Sequence, residues 1–246
     1  MVGSHGSVGR ALVSEFLFAF VNLSSPHFLI RTCAVLKTFD VQFFITPIYP
    51  EAKKRVELGN ILSPDDVDLA PDLELSSFPE ISSVDEDTVY TLVLSDPDAL
   101  SHDNPVKSQM CHWIVTNVTL PATSASHAHP KKLLSLMSED TSGIIQLKKY
   151  FPPAPPPKTG YHRYVFAFLK STSKDSPIPK KPKKRAHWGY GKVGAGIKEW
   201  AAENELEVVG EYKLTTLSPC HSTNRDQKEQ ISSMPRTKSS DAVINL

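Results

Sequence analysis

Three runs of β-branched and aromatic residues confine this chain to a fold built on strands. Residues 89–94 read VYTLVL, residues 112–120 HWIVTNVTL and residues 162–169 HRYVFAFL. Each is too short for a typical helix, and the first is continuously apolar, as a strand buried on both faces must be. Strict alternation puts His112, Ile114, Thr116, Val118 and Leu120 on one face of the second run, with Trp113 and Val115 on the other. In the third run His162, Tyr164, Phe166 and Phe168 share a face, and Arg163 points the opposite way.

Polar and ionisable groups stand at the ends of these runs. The first leads into Ser95-Asp96-Pro97-Asp98, where Pro97 fixes φ and lacks an N–H while both carboxylates can accept from nearby backbone donors, so the chain turns. The second opens on Cys111-His112-Trp113 and the third on Gly160-Tyr161-His162-Arg163-Tyr164. Taken singly these are ordinary: Asp-Pro-Asp occurs in many turns, and histidines at strand starts are more often structural than functional. Together they predict one small anion-receiving pocket formed where the strand ends meet.

The combination resembles the phosphatidylethanolamine-binding protein family, whose hallmark is a DPDxP turn, a His-bearing strand soon after it and a later GxHR strand. The resemblance continues through Tyr150-Phe151-Pro152-Pro153 and His187-Trp188-Gly189-Tyr190-Gly191, covers residues 54–210, and is similar to the family's fungal branch. It implies a mostly β fold, an antiparallel sandwich of two packed sheets with a C-terminal helix. It further implies that Asp96, His112 and His162 converge in the pocket, with Tyr161 and Pro153 among the ligand contacts and Asp98, Arg163 and Tyr164 in support. Arg163, on the other strand face, is expected to pair with a carboxylate such as Asp98. The implied ligand is a phosphate ester or phospholipid headgroup, to which each imidazole would offer a donor. Family members also include inhibitors of serine carboxypeptidases and regulators of kinase signalling, so a peptidase or kinase partner is the alternative. Leu100 departs from the family's proline in the turn.

Catalysis is the weaker class. Asp and His suit acid–base hydrolysis, but no recognisable motif places a serine or cysteine nucleophile, a phosphate loop or a metal-ligand set. No cofactor and no metal are expected. His127 and His129 lie two apart without a carboxylate or cysteine at ligand spacing and read as solvated loop residues.

Across 246 residues, Lys plus Arg and Asp plus Glu balance at 27 each, so no global field steers the chain to nucleic acid or membrane. Local patches must do that. Lys180, Lys181, Lys183, Lys184 and Arg185 form such a patch, read either as a solvated loop or as a peripheral membrane contact or import signal. Three scattered cysteines, Cys33, Cys111 and Cys220, argue against a disulfide framework and fit a cytoplasmic protein. A secreted or vacuolar location is the alternative: Arg10 precedes the short apolar stretch 11–21, although Glu15 interrupts it. Asn22 and Asn117 begin glycosylation patterns that matter only on the secretory route.

The domain is expected over residues 39–210, with an N-terminal extension over 1–38 and a disordered tail over 211–246. Within it, 39–48 reads as a strand, 56–64 as a hairpin turning at Gly59-Asn60, and 71–78 as an edge strand. Residues 148–158 read as a polyproline-like arm, in the family a lining of the pocket mouth. A helix is expected over 194–204 from the spacing of Ile197, Trp200 and Ala201, followed by a strand at 206–209.

Overall fold

The three apolar runs become neighbouring strands of one six-stranded sheet. The computed structural model describes residues 42–56, 61–77, 87–120, 132–136, 143–172 and 176–217. The extension 1–38, Asn22, Cys33, His127, His129, Cys220 and residues 218–246 lie outside the described residues. Along the chain the strands are β1 (Phe43–Tyr49), β2 (Lys54–Arg55), β3 (Ile61–Leu62), β4 (Asp72–Ser77) and β5 (Val89–Asp96). There follow β6 (Met110–Thr119), β7 (Lys132–Leu134), β8 (Ile145–Lys148), β9 (Tyr161–Ser171), helix α1 (Ile197–Glu203) and β10 (Leu206–Leu217).

The larger sheet runs β3-β10-β9-β5-β6-β8 and the smaller β2-β1-β4-β7. Pairing is antiparallel throughout the described residues except between β3 and β10. This is the expected mostly β architecture of two sheets and one C-terminal helix. One expectation within it changes. Strand β4 lies between β1 and β7 rather than at an edge. Strands β2 and β3 join different sheets, and Gly59-Asn60, where the hairpin turn is expected, lies outside the described residues.

Two apolar layers hold the larger sheet from both sides. Between the sheets, Phe43, Ile45 and Leu75 meet Tyr90, Phe166 and Phe168. Phe43 sets its edge against Tyr90 and Phe168, which stack on each other at 4.8 Å. Burying each of these large side chains stabilises the fold by roughly 1.5–3 kcal/mol. On the far face Val93, Ile114, Val165 and Leu169 lie under Trp188 and Trp200. That double burial is why β5 and the later part of β9 are continuously apolar in sequence.

Four irregularities interrupt the larger sheet, one of them between β6 and β8, where Ile114 faces Lys148 but Val115 faces Gln146; the other three shape the site and the core. Leu94 pairs with Trp113 but Ser95 with Cys111, so His112 is an extra residue in β6. Such a bulge resets the alternation. Trp113 and Val115 face the core between the sheets, opposite Ile114, as expected, but across the bulge Cys111 shares the far-face layer with Ile114, which corrects the strict period at the start of this strand. A second irregularity sits at Asn117, whose φ is +61°, and returns Val118 to the same layer as Val115. The third lies in β10 between Val208 and Gly210. There the Val209 carbonyl accepts from Gln42 N–H at 2.8 Å, and a Cβ on Gly210 would stand 2.9 Å from the Phe43 carbonyl oxygen. Only glycine lets β1 approach β10 this closely.

The boundary expected at Gly210 moves outward. Strand β10 continues to Leu217 and pairs with β9 along its full length, Thr216 standing opposite His162 and Leu217 opposite Tyr161. Residues 211–217 are thus sheet, not tail. The polar sequence of this stretch concealed it, because the unsatisfied backbone edge of β9 supplies the partner that propensity alone does not predict.

Candidate functional site

The site is assembled by the turn after β5, the start of β6, the arm before β9 and the first residues of β9. Asp96, the last residue of β5, accepts from the Asp98 N–H at 2.7 Å on Oδ1. That bond closes the turn that Pro97 begins. It also points the Asp98 carboxylate toward β9, where it accepts from the Arg163 backbone N–H at 2.8 Å, from Nε at 2.8 Å and from Nη2 at 2.7 Å. The expected Asp98–Arg163 pairing is therefore the fixed joint between the turn and β9. Burial alone would raise the Asp98 carboxyl, but the Arg163 hydrogen bonds and charge outweigh it and hold the carboxyl below the usual carboxylate range. His102 also lies within 3.1 Å of this carboxylate.

Gly160 enters β9 at φ +77°, a conformation that favours glycine, and the next turn of chain delivers His162 into the interior. His162 is 1% exposed and Asp96 3%. His162 Nδ1 meets Asp96 Oδ2 at 2.9 Å, and Nε2 meets Thr159 Oγ1 at 3.0 Å. The Thr159 hydroxyl in turn reaches the Pro156 carbonyl at 2.7 Å. Both imidazole nitrogens of His162 thus have hydrogen-bond partners within the protein.

His112 is held differently. Its Nδ1 donates to the Phe151 carbonyl at 2.7 Å, while the Phe151 N–H donates back to the His112 carbonyl at 2.9 Å. The Phe151 ring lies 5.2 Å from the imidazole, and Tyr164 meets it edge-on at 5.0 Å. Among the described residues Nε2 has no hydrogen-bond partner. Ser176 Oγ is the one side-chain polar atom among them both sealed from solvent and unpaired, so His112 Nε2 is reached by solvent although the residue is only 3% exposed. Burial pushes the imidazole pKa down, against the pull of Asp96 and of the Phe151 carbonyl; Arg185 and His162 push the same way as burial.

The other predicted residues fall around this core. Tyr164 is buried between the two imidazoles, with His162 at 6.4 Å. Pro153 is buried in the arm, and Tyr161 is half-buried at the start of β9, its phenol raised by burial. Cys111 sits on the opposite face from His112, its thiol pushed up to about 12 by burial, and takes no part.

Three contributors were not legible as such. Phe151 acts through its main-chain carbonyl, Thr159 through one hydroxyl, and Arg185 through contacts with carbonyl oxygens. Arg185 Nη1 donates to Cys111 and His112 at 3.0 and 2.9 Å and Nη2 to Lys149 at 2.8 Å, with Cζ 5.3 Å from the Phe151 ring centre. Arg185 is thereby removed from the basic patch expected at 180–185 and becomes a clamp on the site, while Lys180, Lys181, Lys183 and Lys184 remain exposed.

Known proteins share this framework. Positions 52–213 match the phosphatidylethanolamine-binding protein family. The chain is 38% identical over 126 residues to the carboxypeptidase Y inhibitor of Saccharomyces cerevisiae, a stretch spanning 50% of this chain and 57% of that relative. It is 30% identical over 156 residues to a second, uncharacterized Saccharomyces cerevisiae protein, spanning 63% of this chain and 72% of that one. Among solved structures, a carboxypeptidase Y inhibitor complexed with its cognate proteinase superposes with a TM-score of 0.66 at 26% identity, over 82% of this chain and 96% of that one.

Proposed function

The chain belongs to the phosphatidylethanolamine-binding protein family, and from that premise we propose that it works by binding, as a protein inhibitor of a serine carboxypeptidase. One observation carries this: the likeness to the carboxypeptidase Y inhibitor holds both in sequence and in fold. The arrangement at the site agrees with a binding role. Its polar groups are locked into one another: the Thr159 hydroxyl beside His162 is bonded to the Pro156 carbonyl, and Cys111 points away with its thiolate disfavoured. The test is to titrate the purified full chain into carboxypeptidase Y and follow peptide turnover. Turnover should fall with near-stoichiometric inhibitor and the two proteins should co-elute. Undiminished turnover at molar excess, with no complex, overturns the proposal.

A second reading, favoured by the geometry of His112, is that the Asp96–His112–His162 cluster receives a small phosphate-bearing ligand. The solvent-reached Nε2 at the centre of an otherwise satisfied polar cluster supports it. Calorimetric titration with phosphorylethanolamine tests it, with His112→Ala expected to lose affinity while the domain stays folded. Equal affinity in the variant overturns it.

A further inference from the structure

The Phe151 carbonyl settles which nitrogen of His112 carries a proton. A carbonyl oxygen only accepts, and at 2.7 Å from Nδ1 it requires an N–H there. In the neutral imidazole Nε2 is then a bare lone pair. That lone pair is what the site shows to solvent. It faces a phosphate oxygen as acceptor to acceptor, and such a contact is repulsive until a proton is placed between them.

Among the described residues, the groups around His112 give no other source for that proton. From β5 comes Asp96, an acceptor already bonded to His162 and to the Asp98 N–H. From β9 come His162, whose two nitrogens are engaged, and Tyr164, which presents its ring edge-on to the imidazole. From the segment before Trp188 comes Arg185, whose Nη groups are spent on carbonyls. From the arm comes the Phe151 carbonyl itself. No described hydrogen bond brings a donor to Nε2.

We infer that the site selects phosphate monoesters over diesters, and that binding a monoester takes up one proton, shared between His112 Nε2 and a ligand oxygen. This rests on the phosphate reading of the site. The balance is simple. Near neutral pH a monoester is largely a dianion, its second pKa being about 6, so neither partner brings the proton and the solvent supplies it. The monoester's basic oxygen helps to hold the proton. A diester has no oxygen of comparable basicity, and the proton would have to rest on an imidazole whose burial opposes charge. Asp96 favours the proton uptake itself, because a dianionic phosphate beside it is repelled more than a singly charged one.

The experiment uses the wild-type full chain with methyl phosphate and dimethyl phosphate as probes. Titration calorimetry at about pH 7.5, in buffers of differing ionisation enthalpy, reads the protons exchanged. The expected result is uptake of about one proton with methyl phosphate, and binding of dimethyl phosphate weaker by about tenfold or more. Methyl phosphate binding without proton uptake, or equal affinity for the two probes, overturns the inference and leaves the phosphate reading standing. Failure of both probes to bind overturns both. Nitrogen NMR of the ligand-free protein is independent of binding. A pyridine-type signal at His112 Nε2 is expected, and a protonated Nε2 beside a bare Nδ1 overturns the inference whatever the ligand does.

Discussion

Arg185 Nη1 donates to the carbonyl of His112 at 2.9 Å across 73 positions of sequence. The same guanidinium holds Cys111 and Lys149, so the bulge in β6 and the arm that carries Phe151 are tied by one side chain. Lysine has a single nitrogen and cannot reproduce the planar fork. Arg185→Lys is expected to lose about 1–3 kcal/mol in urea unfolding and to shift the His112 ring resonances. Unchanged stability together with unchanged ring resonances would mean that the clamp does not hold the site.

Asp98 and Arg163 form a nearly enclosed ion pair, with side chains 2% and 14% exposed. Removing one charge strands the other, so Asp98→Asn is expected to destabilise by about 3–5 kcal/mol near neutral pH. The folded-state carboxyl is lowered, so its contribution is complete above the unfolded value of about 3.9 and is lost as pH falls through the folded one. Denaturation curves of wild type and variant should therefore converge in strong acid. A gap that persists there would assign the effect to something other than the charge.

His112 adds a second window in the same direction but at higher pH. Its folded pKa is depressed, so below about pH 6.5 the unfolded chain binds the proton first and the native state loses ground. Melting temperature should decline from about pH 7 toward pH 5, and His112→Gln should flatten that decline. An equally steep decline in the variant would place the dependence elsewhere.

Gly210→Ala tests the approach of the two sheets. The added Cβ would meet the Phe43 carbonyl, a main-chain atom that cannot swing aside. A loss of about 1–3 kcal/mol in chemical denaturation is expected, as for other overpacked cores. A neutral outcome would show that β1 slides freely over β10.

The strands flanking the site were readable because burial on both faces leaves a continuous apolar run, which is why β5 and β9 stand where residues 89–94 and 162–169 placed them. Arg163 could be paired with Asp98 in advance because alternation turned it away from His162. The orientation of His112 could not be read, since its bulge depends on the register between β5 and β6 rather than on either sequence. Residues 211–217 alternate Tyr212 and Leu214 with Glu211 and Lys213, a weak signal that pairing with β9 converts into strand. Arg185 was hidden among lysines because a guanidinium bonded to carbonyls leaves no sequence pattern. The Phe151 carbonyl is legible in no side chain at all.

Strand β9 is bonded on one side to β5 and on the other to β10, and it carries His162 and Tyr164 near its start. Amide exchange in such a doubly paired strand requires opening of most of the sheet, so the site's backbone should be among the last parts of the molecule to exchange. The arm over residues 149–160 has no such ladder, and its tie to His112 runs through Phe151. A partner that draws Phe151 outward would free Nδ1 of His112 while leaving His162 in place. A displacement of the arm at Phe151 therefore reaches the His112 ring through one backbone pair, without any movement of the sheets.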